Sequence, residues 1–488
     1  MRLFRALFYI VACAVISTGT QSFAGGNKNV TLLGRSHRYQ SYSNIWGYTA
    51  GDGKEYALLG TSTGLSIVDM SNPRAPREAA FVPGPNPTQW REIKTYSHYA
   101  YVVSEQTRPN EYSGIQVVDL SKLPQVSFES VYWPGVAPGT ARAHSISVDD
   151  AGYLYIQGGS ATEGEGTERG GVRIFSLADP KKPAPVGFYD ALYVHDSFVK
   201  KELLFNSNIR EIGGHVDILN ISDRSNPRLL TSIVYPFGAS HNSGTTEDGN
   251  YLITTDERTG ATVKFWDLRA LWDNNPANDN DIELVAEYIG DRAQIAHNVH
   301  VKGKYAFISH YVEGVKILDI SDPRAPVEAG SYDTYLPAGS GFAGAWGVFP
   351  YFASGNFAVS DIQTGLYVFR LDAATAVEEN MQPRNNEPQR FALSSAYPNP
   401  LRLGAAAAET VIQYELPSER LAGRVTLKIY DLLGREVRTL IDEAYRPGKF
   451  SARWQGLDQR GIKVPNGVYF FKLVSGAQRT VSKVLVVR

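Results

Sequence analysis

An alternating apolar run that ends in a polar residue and a proline-rich turn recurs along the whole first three quarters of the chain. The clearest copies are GLSIVDMSNPRAP from Gly64, GIQVVDLSKLP from Gly114, GVRIFSLADPKKP from Gly171 and GVKILDISDPRAP from Gly314. Weaker copies are HVDILNISDRSNP from His215, TVKFWDL from Thr262 and GLYVFRL from Gly365. Successive anchors lie 50, 57, 44, 47, 52 and 51 residues apart. A period of about fifty residues marks stacked supersecondary units, none of which can bury its apolar face alone. Seven of them predict a closed ring.

The phrase itself is a strand that stops. In the copy at Gly314, Val315, Ile317 and Ile320 are apolar and β-branched, Lys316 interrupts them, and Pro323 and Pro326 follow. A second run precedes the phrase in each of the first six units (56–60, 99–103, 153–157, 203–206, 251–255 and 305–309), and a shorter one follows it, as at 77–82 and 327–332. With an opening run such as AHNVHV from Ala296, each unit supplies the four antiparallel strands of a propeller blade. The seventh unit lacks a fourth strand, because after Leu371 the chain enters the polar stretch AATAVEENMQPRNNEPQR. NVTLLGRSHR from Asn29 resembles the fourth-strand segments and is placed to supply it, which would leave the ring no long open edge. The expected fold is all-β: a seven-bladed β-propeller of four-stranded blades over 29–371, closed by the N-terminal strand, then a linker (372–392) and a small Ig-like β-sandwich (393–488). The sandwich is read from the alternating runs VIQYELP, RVTLKIYDLLGREVRTL, GKFSARWQGLD and GVYFFKLVSG, which turn residues separate.

Residues 1–24 have the form of a secretory signal peptide: Arg2 and Arg5, an apolar core from Ala6 to Ile16, and small residues up to Ala24. That core is too short to span a bilayer, and no transmembrane helix is expected in the mature chain. Cys13, the only cysteine, lies inside it, so cleavage after Ala24 removes every thiol and with it any disulfide or cysteine metal site. Ile10 to Cys13 also loosely match a lipoprotein cleavage box, which would acylate Cys13 instead. The expected address is secreted or outer-membrane cell surface, by way of the periplasm. A net charge of -2 and the lack of a basic stripe argue against nucleic acid.

Two resemblances arise from these residues. The repeat phrase looks like the LVIVD repeat. IAHNVHVKGKYAFISH and GAWGVFPYFASGNFAVSDIQTGLYVF, with ARAHSISVDDAGYLYIQGG, YVHDSFVKKELLFNSN and ASHNSGTTEDGNYLITTDE, resemble the choice-of-anchor B family of secreted bacterial proteins over roughly 31–371. That resemblance carries no activity with it. In the tail, SSAYPNPLR, IQYELP, TLKIYDLLGREVRTL, WQGLDQRGIKVPNGVYFFKL and KVLVVR are similar to the type IX secretion sorting domain of the FlgD-like immunoglobulin class. This implies translocation across the outer membrane by the type IX machinery, often with tail removal and surface attachment. Leu401 replaces the usual phenylalanine after Pro-Asn-Pro, and an alanine-rich insert precedes Glu409.

Aligning the opening strands places an aromatic or imidazole residue at one position per unit: Trp46, Trp90, His144, His195, His241, His297 and Trp346. Opening strands line a propeller's central channel, so these side chains would gather near one mouth. There they would bind a small-molecule or sugar ligand, hold a divalent metal through neutral nitrogens, or hydrogen-bond the neighbouring blade as part of the scaffold. Asp196, Asn242 and Asn298 follow histidines directly, and strand alternation would point them the other way. Asp256 and Glu257 close the second strand of the fifth unit and are candidates to join a metal site or act as a base. The loop DNNPANDND from Asp273 lacks the glycine and terminal glutamate of an EF-hand and fits a surface turn. There is no nucleophile elbow, HExxH or Walker loop, and GEGTERGG from Gly164 has the wrong spacing for a phosphate loop. The function expected is therefore a noncatalytic binding or scaffold module whose partner is a surface protein, a glycan or a small molecule. The alternative is an extracellular metal-assisted hydrolase or lyase that uses the histidine-lined mouth.

Overall fold

The computed structural model describes residues 27–84, 88–105, 114–131, 143–159, 170–273, 279–290, 294–335, 337, 341–372, 391–393, 396, 399–403, 409–417, 424–444, 448–476 and 478–487. The signal peptide with Cys13, the polar stretch 373–390, most of the Gly164 loop and the centre of the Asp273 loop lie outside them. Two compact units divide the chain, Met1–Ala373 and Ala374–Arg488.

The first unit is the seven-bladed propeller. Its seven four-stranded antiparallel sheets are each hydrogen-bonded in chain order, with one exception. In the seventh, Ala345–Phe349, Asn356–Asp361 and Gly365–Leu371 are completed by Val30–Ser36, paired from Val30 with Leu371 to Ser36 with Leu366. The N-terminal strand thus closes the ring, and Thr31 adds a hydroxyl donated to Asp372.

The repeat phrase is the third strand of each blade and the turn after it, and its chemistry shows why it recurs. The residue ending that strand accepts a hydrogen bond from the amide two positions on: Asp69 from Ser71, Asp119 from Ser121, Asn220 from Ser222, Asp267 from Arg269 and Asp319 from Ser321. These Asx turns satisfy backbone donors as the strand ends. A bulge between the third and fourth strands repeats at Ile67/Val68, Ile174/Phe175, Ile218/Leu219, Phe265/Trp266 and Ile317/Leu318. Bulges increase local twist, which suits outer strands in a ring of wedge-shaped sheets. The apolar side chains of these strands fill the spaces between blades: Ala57, Leu59 and Val68 of the first pack with Ala358, Leu366 and Val368 of the seventh.

The second unit holds two sheets. One pairs Ala392–Leu393, Thr410–Leu416 and Gly448–Trp454; the other orders Leu401–Arg402, Gln478–Val487, Gly467–Ser475, Arg424–Tyr430 and Glu436–Ala444. They share a core of Ile412, Leu427, Trp454, Phe471 and Val484, and Trp454 Nε1 donates to the Leu457 carbonyl at 2.8 Å.

Candidate functional site

The innermost strands bring four histidines and one tryptophan into a continuous arc. Ring centroids are 4.0 Å apart for His144 and His195, 4.3 Å for His195 and His241, 4.1 Å for His241 and His297, and 5.1 Å for His297 and Trp346. His195 Nδ1 donates to the His241 carbonyl at 3.3 Å, and His297 Nδ1 donates to the Trp346 carbonyl. A carbonyl can only accept, so the proton sits on Nδ1 and Nε2 keeps its lone pair. Burial holds His195, His241 and His297 well below the ordinary imidazole value, His297 at about 3, so all three are neutral near pH 7.

His144 is chemically separate. Burial opposes its charging, but Glu105, hydrogen-bonded to Nδ1, more than offsets this and raises its pKa. The four imidazoles are therefore three neutral groups and one carboxylate-paired group, not four equal ligands.

Glu257 approaches the neutral three. Its Oε1 lies 3.8 Å from both His241 Nε2 and His297 Nε2 and accepts a 2.7 Å hydrogen bond from Tyr311 Oη. Ligand atoms of His195, His241 and Glu257 fall within 4.8 Å of one another. Asp256 does not join them. It accepts from Lys264 Nζ at 2.7 Å, Tyr235 Oη at 2.9 Å and the Ala239 amide at 2.7 Å, and is committed to the fold of its own blade.

Two tryptophans also leave the expected ring. Strand register puts Ser43 and Arg91, not Trp46 and Trp90, level with the histidines: Arg91 pairs with Ser104 and Trp46 with Leu58. Trp90 is 43% exposed. Trp46 sits further along the channel, where its pairing with Leu58 matches that of His300 with Phe307, and its ring meets His300 at 5.4 Å and Phe349 at 5.1 Å.

There the channel widens into a cavity of about 460 Å³, with walls from all seven blades. Its lining combines polar Asn44, Glu92, Asp196, Asn242 and Asn298 with aromatic Trp46, Phe198, Phe349 and Tyr351. Asp196, Asn242 and Asn298 thus line the channel although each follows an arc histidine. Alternation fails because His241 sits in a bulge between Ser240 and Asn242, while His195 and His297 precede their strands. The polar groups are bonded across blades: Asn44 Nδ2 and Trp346 Nε1 donate to Glu92, and Asn242 Nδ2 and Ser145 Oγ donate to Asp196. Burial raises Glu92 to about 7 and also raises Asp196, lowers Lys94, and holds His300 at about 3. Lys94 Nζ lies 3.9 Å from the Trp46 ring centroid, a cation–π contact that steadies both.

With that geometry in place, comparison with known proteins gives two family matches. The LVIVD repeat matches residues 54–82 and 293–334, and the FlgD Ig-like domain matches residues 401–478. The ring thus carries segments that match the LVIVD repeat, and the tail is similar to the FlgD Ig-like domain. No match was found among curated proteins. Among solved structures, PorZ, titled an essential bacterial surface component of the type-IX secretion system of Porphyromonas gingivalis, is 12% identical with a TM-score of 0.44. The alignment covers 92% of this chain and 60% of PorZ, so the chain spans about three fifths of that protein. A likeness this loose transfers no residue roles.

Within the propeller, the channel groups that sequence reasoning passed over are Glu92, Lys94 and His300, with Glu105 and Tyr311 beside the arc. One signal was available for the first two. In REIKTY, charged residues alternate with Ile93 on an opening strand, and the inward side of such a strand can only be the channel. Glu105 and Tyr311 leave no such trace, because each lies beyond the end of its blade's second strand and meets the arc only through the fold.

Proposed function

We propose that this chain is an exported cell-surface propeller that binds a ligand rather than transforming one, with its central channel as the binding site and its Ig-like tail as the export signal. The cavity supports the binding reading. At about 460 Å³ it has the size and mixed lining of a small-molecule site, with aromatic rings alongside amides and carboxyls. A small polar ligand with one apolar face fits it: Trp46 and Phe349 would cover the flat face, while Asn44, Asn242 and Asn298 would exchange hydrogen bonds with hydroxyls or amines. The tail motifs and the FlgD Ig-like match support recognition by the type IX machinery. Among the described residues no helix is long and apolar enough to cross a membrane.

Two measurements test this reading. A periplasmic reporter fused to residues 393–488 should reach the surface of a host with type IX secretion and stay inside without the tail; retention of the fusion would sink the export half. A glycan and metabolite screen with the full chain should yield a ligand whose affinity falls sharply in Trp46→Ala. Turnover of that ligand would replace the binding reading with the second one, an extracellular metal-assisted hydrolase or lyase. The approach of Glu257 to His195 and His241 favours that second reading.

A further inference from the structure

We propose that His195, His241 and Glu257 form a binding site for a first-row divalent transition metal of the zinc class. Two imidazole nitrogens and one carboxylate oxygen within 4.8 Å of one another are the donor set of open zinc sites, with remaining positions left to water or ligand. At metal–ligand distances of about 2.0–2.2 Å, tetrahedral donors stand roughly 3.4 Å apart. The His241–Glu257 separation is 3.8 Å and the sides to His195 are within 4.8 Å, so side-chain rotations that draw His195 inward would close the triangle. His297 Nε2, also 3.8 Å from the Glu257 oxygen, stands where a fourth nitrogen would come from.

Three further observations point the same way. Protons on Nδ1 of His195 and His297 are held by carbonyls of the next blade, which fixes the tautomer and leaves Nε2 free to ligate, as outer partners do at metal sites. His241 repeats the arrangement toward the His297 backbone at longer reach, and its Nδ1 makes no hydrogen bond of normal geometry. Contraction around an ion would draw it in.

The second observation is Glu257 itself. It is mostly buried, its Oε1 lies 3.8 Å from Nε2 of both His241 and His297, and it accepts a hydrogen bond from the Tyr311 hydroxyl. A metal ion bound there would set a positive charge directly against this mostly buried carboxylate.

The third is Tyr311, which is 2% exposed and has φ 40°, a left-handed conformation that is strained for a bulky side chain. Its carbonyl is held by the amides of Gly314 and Ala345 at 2.9 and 3.0 Å. The strain is retained where the hydroxyl is aimed at the carboxylate. In this assignment Tyr311 is a positioning residue that orients Glu257.

The test uses the full chain and Zn²⁺ alone, with Co²⁺ as the spectroscopic probe. After removal of free metal, wild-type protein should retain one zinc per chain, and the Co²⁺ form should show visible d–d bands of low coordination number. Glu257→Gln, which keeps the shape and the Tyr311 contact, and His241→Ala should each weaken Zn²⁺ about a hundredfold or more, while Tyr311→Phe should weaken it about tenfold. His144→Ala should not weaken it, because that imidazole is paired with Glu105 and is not one of the ligand groups. Circular dichroism of each variant separates loss of a ligand from loss of the fold. No stoichiometric zinc in the wild type, equal affinity in folded Glu257→Gln, or loss in folded His144→Ala would each overturn the assignment. Metal retention is read without reference to export or to the channel ligand, so this site and the function proposed above can fail separately.

Discussion

Replacing Glu92 by glutamine tests whether the channel is as dry as its walls imply. Glu92 is 8% exposed, and burial raises its carboxyl from 4.5 to about 7. Because the folded-state pKa lies above the unfolded one, the contribution of this group to stability is fully present below about pH 4.5. It is lost as the pH rises to about 7. A shift of this size corresponds to about 3 kcal/mol. With about 2.1 cal/mol/K of unfolding entropy per residue over a ring of roughly 340 residues, that is about 4 °C in Tm. Glutamine removes the titration but not the site's demand for acceptors. Asn44 Nδ2 and Trp346 Nε1 donate to different oxygens of Glu92, and an amide can accept only one of them, which costs about 1 kcal/mol at every pH. The Tm curves of the full chain, followed through the propeller transition from pH 4 to 8.5, should therefore cross. Glu92→Gln melts lower than wild type in acid and higher above neutrality. Asp196 is raised by burial too, so the variant keeps part of the wild-type slope. Parallel curves would show that Glu92 titrates alike in the folded and unfolded chain, that the channel is wet enough to solvate a carboxylate, and that the desolvation argument is wrong.

Two more tests address the scaffold that holds these groups. Asp256→Ala leaves the Lys264 ammonium buried without its carboxylate and should destabilise the ring by about 3–5 kcal/mol in urea unfolding, most of which is recovered by adding Lys264→Met. If the single variant matches wild type, the pair is not the fixed element described above. Deleting residues 29–36 removes the strand paired with Gly365–Leu371 and exposes a full strand edge. Size-exclusion chromatography should then show dimers or larger aggregates, and a monomer with unchanged Tm would refute closure by the N-terminal strand.

The propeller was legible in the sequence because its repeat encodes a local device. An Asp or Asn ending the third strand binds the amide two residues on, as Asp69 does Ser71 and Asp319 does Ser321, so turn chemistry within a few residues reports the period of the whole fold. The histidine positions were legible for a related reason, since each sits at the entrance to an opening strand. The tryptophans were misplaced because residue type does not fix register. Trp46 lies two residues beyond Asn44 and Trp90 one residue before Arg91, and only the pairing with the second strand reveals the offset. Glu92, Lys94 and Asp196 went unrecognised as a group because they come from two blades and meet only across the channel.

The same geometry makes a structural and a chemical role for the arc compatible with each other. An imidazole has two nitrogens, and here they face different tasks. Nδ1 of His195 reaches the fifth blade's backbone and Nδ1 of His297 reaches the seventh's, which fixes how neighbouring blades are set. Fixing Nδ1 as the donor leaves Nε2 of each ring as a lone pair, and for His297 that lone pair lies on the side of Glu257. A residue used only as an inter-blade strut could be serine, as Ser43 shows in the first blade, where its hydroxyl donates to the Arg91 carbonyl of the second. The metal site proposed above would make use of the Nε2 side of these rings, which the contacts between blades leave unused. His195→Asn should therefore keep the ring folded, with an amide donor still offered to the fifth blade, while removing a nitrogen from the Glu257 side. Only a structural role would leave every other property of the protein intact.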